Sequence, residues 1–158
     1  MSRLEMRILG GFQVSLDGQP VTGFESDKTR ALLVYLAVEA ERAHRRERLA
    51  GLLWPERSET TARSYLRRVL ANLRRVIHDH ETAPPFLRID RQTIQFNQES
   101  DYWLDFQTLL PALQPDESGQ IPIKELEQAI GYYEGTFLEG FSLPESIAFE
   151  EWLLLQRE

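Results

Sequence analysis

Arginine recurs along one face of residues 58–77, a segment with the pattern of an amphipathic helix. At about 100° per residue, apolar side chains fall on one stripe and arginines on the opposite arc. Guanidinium groups at helical spacing suit a polyanion, and the width of a helix suits the DNA major groove. A solvated surface helix would show the same pattern. The stripe comprises Leu66, Val69, Leu70, Leu73 and Ile77, and the arc comprises Arg63, Arg67, Arg68, Arg74 and Arg75.

The segments on either side indicate how this helix is positioned. Alternating apolar residues and the Asp17–Gly18 turn signal predict a small antiparallel sheet at the start of the chain. Two shorter helices follow, and beyond Pro84 and Pro85 a tight turn at 90–92 joins two strands. This order predicts an α+β fold, a winged helix-turn-helix whose third helix enters the major groove and whose hairpin is the wing. The predicted strands are 6–9, 12–16, 19–21, 86–89 and 93–96, and the predicted helices are 28–39, 44–53 and 58–79.

This arrangement assigns candidate roles to individual residues. Arginine forked onto guanine is the favoured pairing for base reading, and a helix N-terminus or a flanking arginine suits a phosphate. The recognition-helix candidates are Arg63, Ser64, Arg67, Arg68, Ala71, Arg74 and Arg75, with Arg75 expected on a phosphate. The DNA-backbone candidates are Arg45, Arg46, Ser58, Thr60 and Thr61, and the wing candidates are Arg88 and Arg91, the latter at the tip.

The charge of the chain is divided between its two parts. The formal net charge is −7, yet residues 1–96 carry sixteen basic and twelve acidic side chains, whereas residues 97–158 carry two and thirteen. Within 42–78 there are ten arginines and three glutamates. Salt screens charges beyond about 8 Å, so local charge decides what a surface attracts. The acidic total therefore does not argue against a nucleic-acid site.

Other classes of protein find little support in the sequence. No run of about 18 apolar residues predicts a membrane span, and the N-terminus lacks the apolar run of a signal peptide. The absence of cysteine excludes disulfides and thiolate metal sites, and we expect a cytoplasmic protein. The three histidines have no ligand spacing, and no nucleophile or phosphate-loop motif is present. We expect neither an enzyme nor a bound cofactor or metal.

After Phe96 the sequence changes to acidic amphipathic segments. Residues 104–113, 123–133 and 145–157 are predicted as helices, separated by proline and glycine. We therefore divide the chain into a DNA-binding domain, 1–98, and the first part of a helical domain, 99–158. The last segment keeps a helical pattern to its end, so we expect a longer helical domain.

Six blocks of sequence resemble the SARP (antibiotic-regulatory-protein) family of bacterial transcriptional activators. Each block alone is loose, but their order is specific, and they span nearly the whole chain. In the first part they are KTRALLVYLA (28–37), RRERLAGLLWP (45–55) and ARSYLRRVLANLR (62–74). In the second they are WLDF (103–106), YEGTFLEGF (133–141) and EWLLLQR (151–157), which resemble the junction and start of a bacterial transcriptional activation domain.

The resemblance implies more than the spacing does. It implies an OmpR/PhoB-like DNA-binding domain followed by an all-α, TPR-like segment. It also implies binding to double-stranded promoter DNA at head-to-tail direct repeats, contact with RNA polymerase, and a homodimer on those repeats. By position, it makes residues 58–77 the recognition helix and Arg91 the wing tip.

A second function stays open from the residues alone. The arginine face could dock an acidic protein partner, or the chain's own acidic C-terminal part, as an interaction module. A titration with generic duplex DNA separates the two functions. A DNA-binding protein should bind the duplex with a steep dependence on salt, whereas an interaction module should not bind it.

Overall fold

The computed structural model describes residues 3–107, 119, 127, 135 and 137–157. The helices predicted at 104–113 and 123–133 lie outside these residues, apart from 104–107 and 127. The described strands are Leu4–Arg7 (β1), Gln13–Leu16 (β2), Gln19–Pro20 (β3), His44–Arg45 (β4), Leu87–Ile89 (β5), Thr93–Phe96 (β6) and Tyr102–Leu104 (β7). The described helices are Asp27–Val38 (α1), Arg46–Leu53 (α2), Glu59–Val76 (α3) and Ile147–Gln156 (α4), with a 3-10 turn at Asp79–Glu81.

The first sheet has the strand order β3-β2-β1-β7. Its first three strands are antiparallel, and both residues of the predicted turn have positive φ, 51° at Asp17 and 82° at Gly18, as a tight hairpin requires. The fourth strand corrects two predictions. Leu104 lies in β7, and the described helical residues begin one position later, at 105–107. β7 also runs parallel to β1, so the sheet is mixed. Pairing with β1 buries Leu104 and overrides its local helical pattern.

The second sheet has the order β4-β6-β5 and also corrects the sequence prediction. Residues 44–45 were expected to begin the second helix, but they form a strand in which His44 pairs with Ile94 and Arg45 with Thr93. The His44 ring nitrogen lies 2.8 Å from the Glu39 carbonyl oxygen. The helix therefore starts at Arg46. The β5–β6 hairpin is present as predicted, with β5 starting one residue later, at Leu87.

α3 packs on α1 and α2 through its apolar stripe. Leu66, Leu70, Leu73 and Ile77 are buried and Val69 is half-buried, as the spacing predicted. Ser58 caps the helix by accepting a hydrogen bond from the Thr61 amide at 3.3 Å. The helix ends at Val76 rather than near 79, because His78 adopts a left-handed conformation with φ of 54°.

Asp79 connects the end of α3 to the β5–β6 hairpin. Its side chain is 1% exposed. One carboxylate oxygen accepts hydrogen bonds from the amides of Phe86 at 2.8 Å and Leu87 at 3.1 Å. The other accepts from Nε of Arg74 at 3.2 Å. The hairpin is thereby fixed relative to the helix.

The residues after β6 pack against the first part of the chain. The Ser146 hydroxyl donates to the Leu53 carbonyl at the end of α2, and Lys28 donates to Ser146 Oγ at 2.8 Å. The Trp152 indole donates to Glu39 at 3.0 Å and packs edge-on against Tyr35. The described part of the C-terminal segment thus lies on α1 and α2. Among the described residues, no helix is both long enough and apolar enough to cross a membrane.

Asp105 ties the segment after β7 to the end of β1. It is fully buried, and its carboxylate accepts hydrogen bonds from the amides of Ile8, Leu9 and Phe106 at 2.7–3.0 Å. Burial raises the pKa of Asp105 even though the three amides and the charge of Arg7 favour its ionised form.

Asp105→Ala should lower the free energy of unfolding by about 1–3 kcal/mol, because it leaves buried amides without an acceptor. Because the pKa of Asp105 is raised in the folded state, folding favours the protonated side chain. The contribution of this side chain to the free energy of unfolding is therefore complete below its unfolded-state pKa. That contribution is lost as the pH rises through its folded-state pKa. The advantage of the wild type should therefore grow as pH falls. Urea unfolding at several pH values measures this, with the exposed Asp101→Ala as control. An advantage that shrinks on acidification would contradict the raised pKa.

Asp79→Ala should lower the free energy of unfolding by about 2–3 kcal/mol, since it removes the acceptor of two buried amides and of Arg74. Amide exchange in β5 should accelerate more than exchange in β1, because the lost contacts hold the hairpin. The control is Glu81→Ala, which removes only a surface pair with His78. Equal stability of Asp79→Ala and wild type would show that the hairpin is held by other contacts.

Candidate nucleic-acid interface

The exposed side of α3 carries two rows of side chains. Ser64, Arg68, Ala71 and Arg75 are exposed and lie directly opposite the buried stripe at helical spacing. Arg63, Arg67 and Arg74 lie on the flank of the helix that faces the β5–β6 hairpin. The single basic arc expected from the sequence is thus divided into an outer row and a flank row.

The arginines of α3 differ in their partners. Arg74 is half-buried and bound to Asp79, and its Nη2 lies 3.1 Å from His80 Nδ1. Arg75 donates to Glu25 at 2.8 Å, but both side chains are more than half exposed. Such a pair contributes little and can exchange for another anion.

By contrast, no described residue forms a hydrogen bond, an ion pair or a ring contact with the side chains of three arginines of α3. These three are Arg63, Arg67 and Arg68, and all three are exposed. Their charges are available to a ligand, whereas Arg74 serves first to position Asp79.

The first turn of α3 exposes Ser58 and Thr60 and half-buries Thr61. The Ser58 hydroxyl donates to Thr61 Oγ1 at 2.9 Å as well as accepting from the Thr61 amide. The first amides of a helix have no intrahelical acceptor, and together with the helix dipole they favour an anion. The first turn of α3 is therefore suited to an anion, as the predicted backbone contacts at this end require.

The turn of the β5–β6 hairpin is closed by Asp90. One oxygen of its carboxylate accepts from the amides of Gln92 at 2.8 Å and Thr93 at 2.6 Å, and the other from the Thr93 hydroxyl. These hydrogen bonds, with a smaller contribution from the nearby Arg46 charge, lower the pKa of Asp90. Arg91 stands at the tip, exposed and without a partner among the described residues. Arg88 is paired with Glu99 at 2.8 Å, and both side chains are exposed.

Arg46 joins the start of α2 to this turn. Its backbone amide donates to the Gln92 carbonyl at 2.9 Å, and its Nη2 donates to the Asp90 carbonyl at 2.7 Å. Its Nε is buried and has no hydrogen-bond partner among the described residues. The neighbouring Arg45 is exposed and paired with Glu47 at 3.1 Å.

Between α3 and the hairpin lies a cavity of about 400 Å³, which we call the arginine pocket. The described residues that line it include no carboxylate. Four arginines that the sequence predicted as DNA contacts therefore line the same pocket, and they come from α2, α3 and the β5–β6 hairpin. The lining consists of Arg46, Arg63, Leu66, Arg67 and Arg91.

Two of the four acidic side chains of residues 137–157 have described partners, and neither partner is on α3. Glu145 lies 3.4 Å from Lys28 Nζ, and Glu150 accepts from the Ser142 hydroxyl at 2.9 Å. The ion pairs formed by the arginines of α3 are with Glu25 and Asp79, both from the first part of the chain. The described C-terminal residues therefore give no support to a self-docked acidic lobe.

Sequence reasoning missed Asp79 and the role of Arg46 in holding the turn. Asp90 carried a readable signal, because an aspartate before a tight turn commonly accepts from the amides two and three residues later. Asp79 had no such signal, because its partners Phe86 and Leu87 lie beyond a proline-containing loop.

The fold is similar to that of a solved structure titled Mycobacterium tuberculosis EmbR in complex with low affinity phosphopeptide. The TM-score is 0.68 at 20% sequence identity, and the match covers 98% of this chain. The chain spans 42% of the length of that EmbR chain. Protein-family models and curated proteins give no match. The likeness shows that the chain shares a mixed α+β fold with this part of the EmbR structure.

Proposed function

We propose that this protein is a sequence-specific double-stranded-DNA-binding transcription regulator and not an enzyme. The observation that carries the proposal is the arrangement of Arg63, Arg67 and Arg68 on α3 beside Arg91 on the β5–β6 hairpin, all without partners among the described residues. In the proposal α3 is the recognition helix and the hairpin is the wing. The likeness of the fold to EmbR supports a regulator.

The dimensions of α3 fit this role. Its 18 residues span about 27 Å, and its apolar stripe anchors it along that length, so the exposed rows present a rigid surface. The major groove of B-DNA admits one helix, and its floor carries the acceptors of guanine that arginine recognises. A rigid helix with free guanidinium groups is therefore suited to reading base edges.

Within the outer row, Arg68 is the best candidate for reading a base. It is exposed on the side opposite the core, and it has no described partner that would hold it elsewhere. Ser64 and Ala71, one turn away on either side, are small enough for the helix to approach the base edges closely. Arg75, Arg45 and the first turn of α3 then hold phosphates on either side.

Activation is the further part of the proposal. Contact with RNA polymerase and paired binding on direct repeats rest on the resemblance of the six sequence blocks to SARP activators. A homodimer on DNA would place two copies head to tail.

One form of the alternative docks the arginine face on the chain's own acidic part, but no described residue forms an ion pair with Arg63, Arg67 or Arg68. Truncation near residue 100 is unsuitable as a test of the DNA-binding part, because it would remove β7, Asp105 and α4, which pack on that part. The full chain is therefore the proper sample.

Selection of bound sequences from a random duplex pool tests the proposal. The wild type should enrich a motif that contains guanine. Arg68→Ala should weaken binding to that motif by about 10-fold or more and lose the preference at one position, since a forked arginine contributes about 1–3 kcal/mol of base discrimination.

The matched control is Arg42→Ala, which removes an exposed arginine beside Tyr35, on the side of α1 where Trp152 packs. It should enrich the wild-type motif. A wild type that enriches no sequence would overturn sequence-specific binding, and an Arg68→Ala variant with the full motif would remove Arg68 from base reading.

A further inference from the structure

We infer that the arginine pocket binds a single phosphate group of the DNA backbone, held between α3 and the wing. This inference rests on the proposed function. It divides the arginines of the candidate DNA interface into two classes. Arg63, Arg67 and Arg91 position the duplex through that phosphate, with Arg46 at the base of the pocket, whereas Arg68 reads a base.

The charge of the pocket points to a multivalent oxyanion. Four guanidinium groups share its lining, and no described carboxylate does. The nearby Asp90 carboxylate is occupied by the Gln92 and Thr93 amides and by the Thr93 hydroxyl. Like charges brought together repel unless a counter-charge lies among them. A phosphate accepts several charge-assisted hydrogen bonds at once, and arginine is the side chain best shaped to donate them.

Arg46 supplies an independent observation. Its Nη2 and its backbone amide hold the wing turn, so its guanidinium is fixed in place. Its Nε is nevertheless buried without an acceptor among the described residues. A buried polar atom without a partner is rare in folded proteins and calls for a specific cause. Because Nε is enclosed, the Nη groups of this fixed guanidinium are the donors left for an anion in the pocket.

The geometry of a duplex places a phosphate at this position. When a helix lies in the major groove and the wing reaches the adjacent minor groove, one sugar–phosphate strand must pass between them. The arginine pocket is the space between α3 and the wing. Leu66, which is 2% exposed, closes the floor of the pocket.

The salt dependence of binding tests whether the arginines share one phosphate. The full chain is titrated onto generic duplex DNA from about 0.05 to 0.2 M salt, and log K is plotted against log salt; the slope changes by about 0.9 per phosphate neutralised. The variants are Arg63→Ala, Arg91→Ala and the triple variant Arg63→Ala, Arg67→Ala, Arg91→Ala. Arg42→Ala is again the control for loss of one exposed arginine.

A shared phosphate predicts that the triple variant binds at least about 10-fold more weakly while its slope falls by at most about one unit. Three separate phosphates would lower the slope by about 2.7 units, and that result would overturn the inference. Unchanged affinity in the triple variant would overturn it too. All three side chains are exposed, so the variants should fold, and circular dichroism confirms this.

A second arm needs no DNA and separates the two proposals. Inorganic phosphate is titrated onto the full chain while the arginine Nε–Hε resonances are followed by NMR. The resonances of Arg63, Arg67 and Arg91 should move with one common dissociation constant, and Arg91→Ala should weaken that constant for the other two. Different constants, or no movement, would overturn the shared site. A wild type with a common phosphate constant but no salt-dependent DNA binding would overturn the proposed function alone.

Discussion

The buried carboxylate of Asp79 is the constraint on which the candidate interface depends. It accepts from two amides at the start of β5 and from Arg74 near the end of α3, so the hairpin cannot move independently of the helix. A buried carboxylate needs such partners, because an unpaired one costs several kcal/mol. Arg74 is therefore part of the scaffold, and the arginine pocket exists because Asp79 at one end and Arg46 at the other hold its two walls together.

The distribution of charge explains how an acidic chain presents a basic surface. The arginines of 42–78 are concentrated on one helix and its surroundings, whereas the described acidic residues of the C-terminal part lie against α1 and α2 or in solvent. At physiological ionic strength these regions act separately beyond about 8 Å. The local surface of α3 therefore stays basic although the formal net charge of the chain is −7.

Local patterns predicted the elements whose causes are local. The spacing of Leu66, Leu70 and Leu73 fixed the buried side of α3, and the Asp17–Gly18 and 90–92 turns fixed both hairpins. β4 and β7 could not be predicted, since His44 and Leu104 become strand residues only through partners more than 45 positions away. The pairing of Arg75 had the same origin, because Glu25 lies 50 positions away. Asp79 lies only five positions from Arg74, but its orientation depends on the amides of Phe86 and Leu87.

If the proposed function is right, α3 and the β5–β6 hairpin contact DNA as one surface. Hydrogen exchange of the full chain, with and without saturating duplex DNA, measures this directly at the level of single segments. We expect added protection in the first turns of α3 and in residues 87–96 together, with the first sheet and α4 unchanged. Protection confined to β1–β3 or to α4, or protection of α3 with the hairpin unaffected, would contradict it.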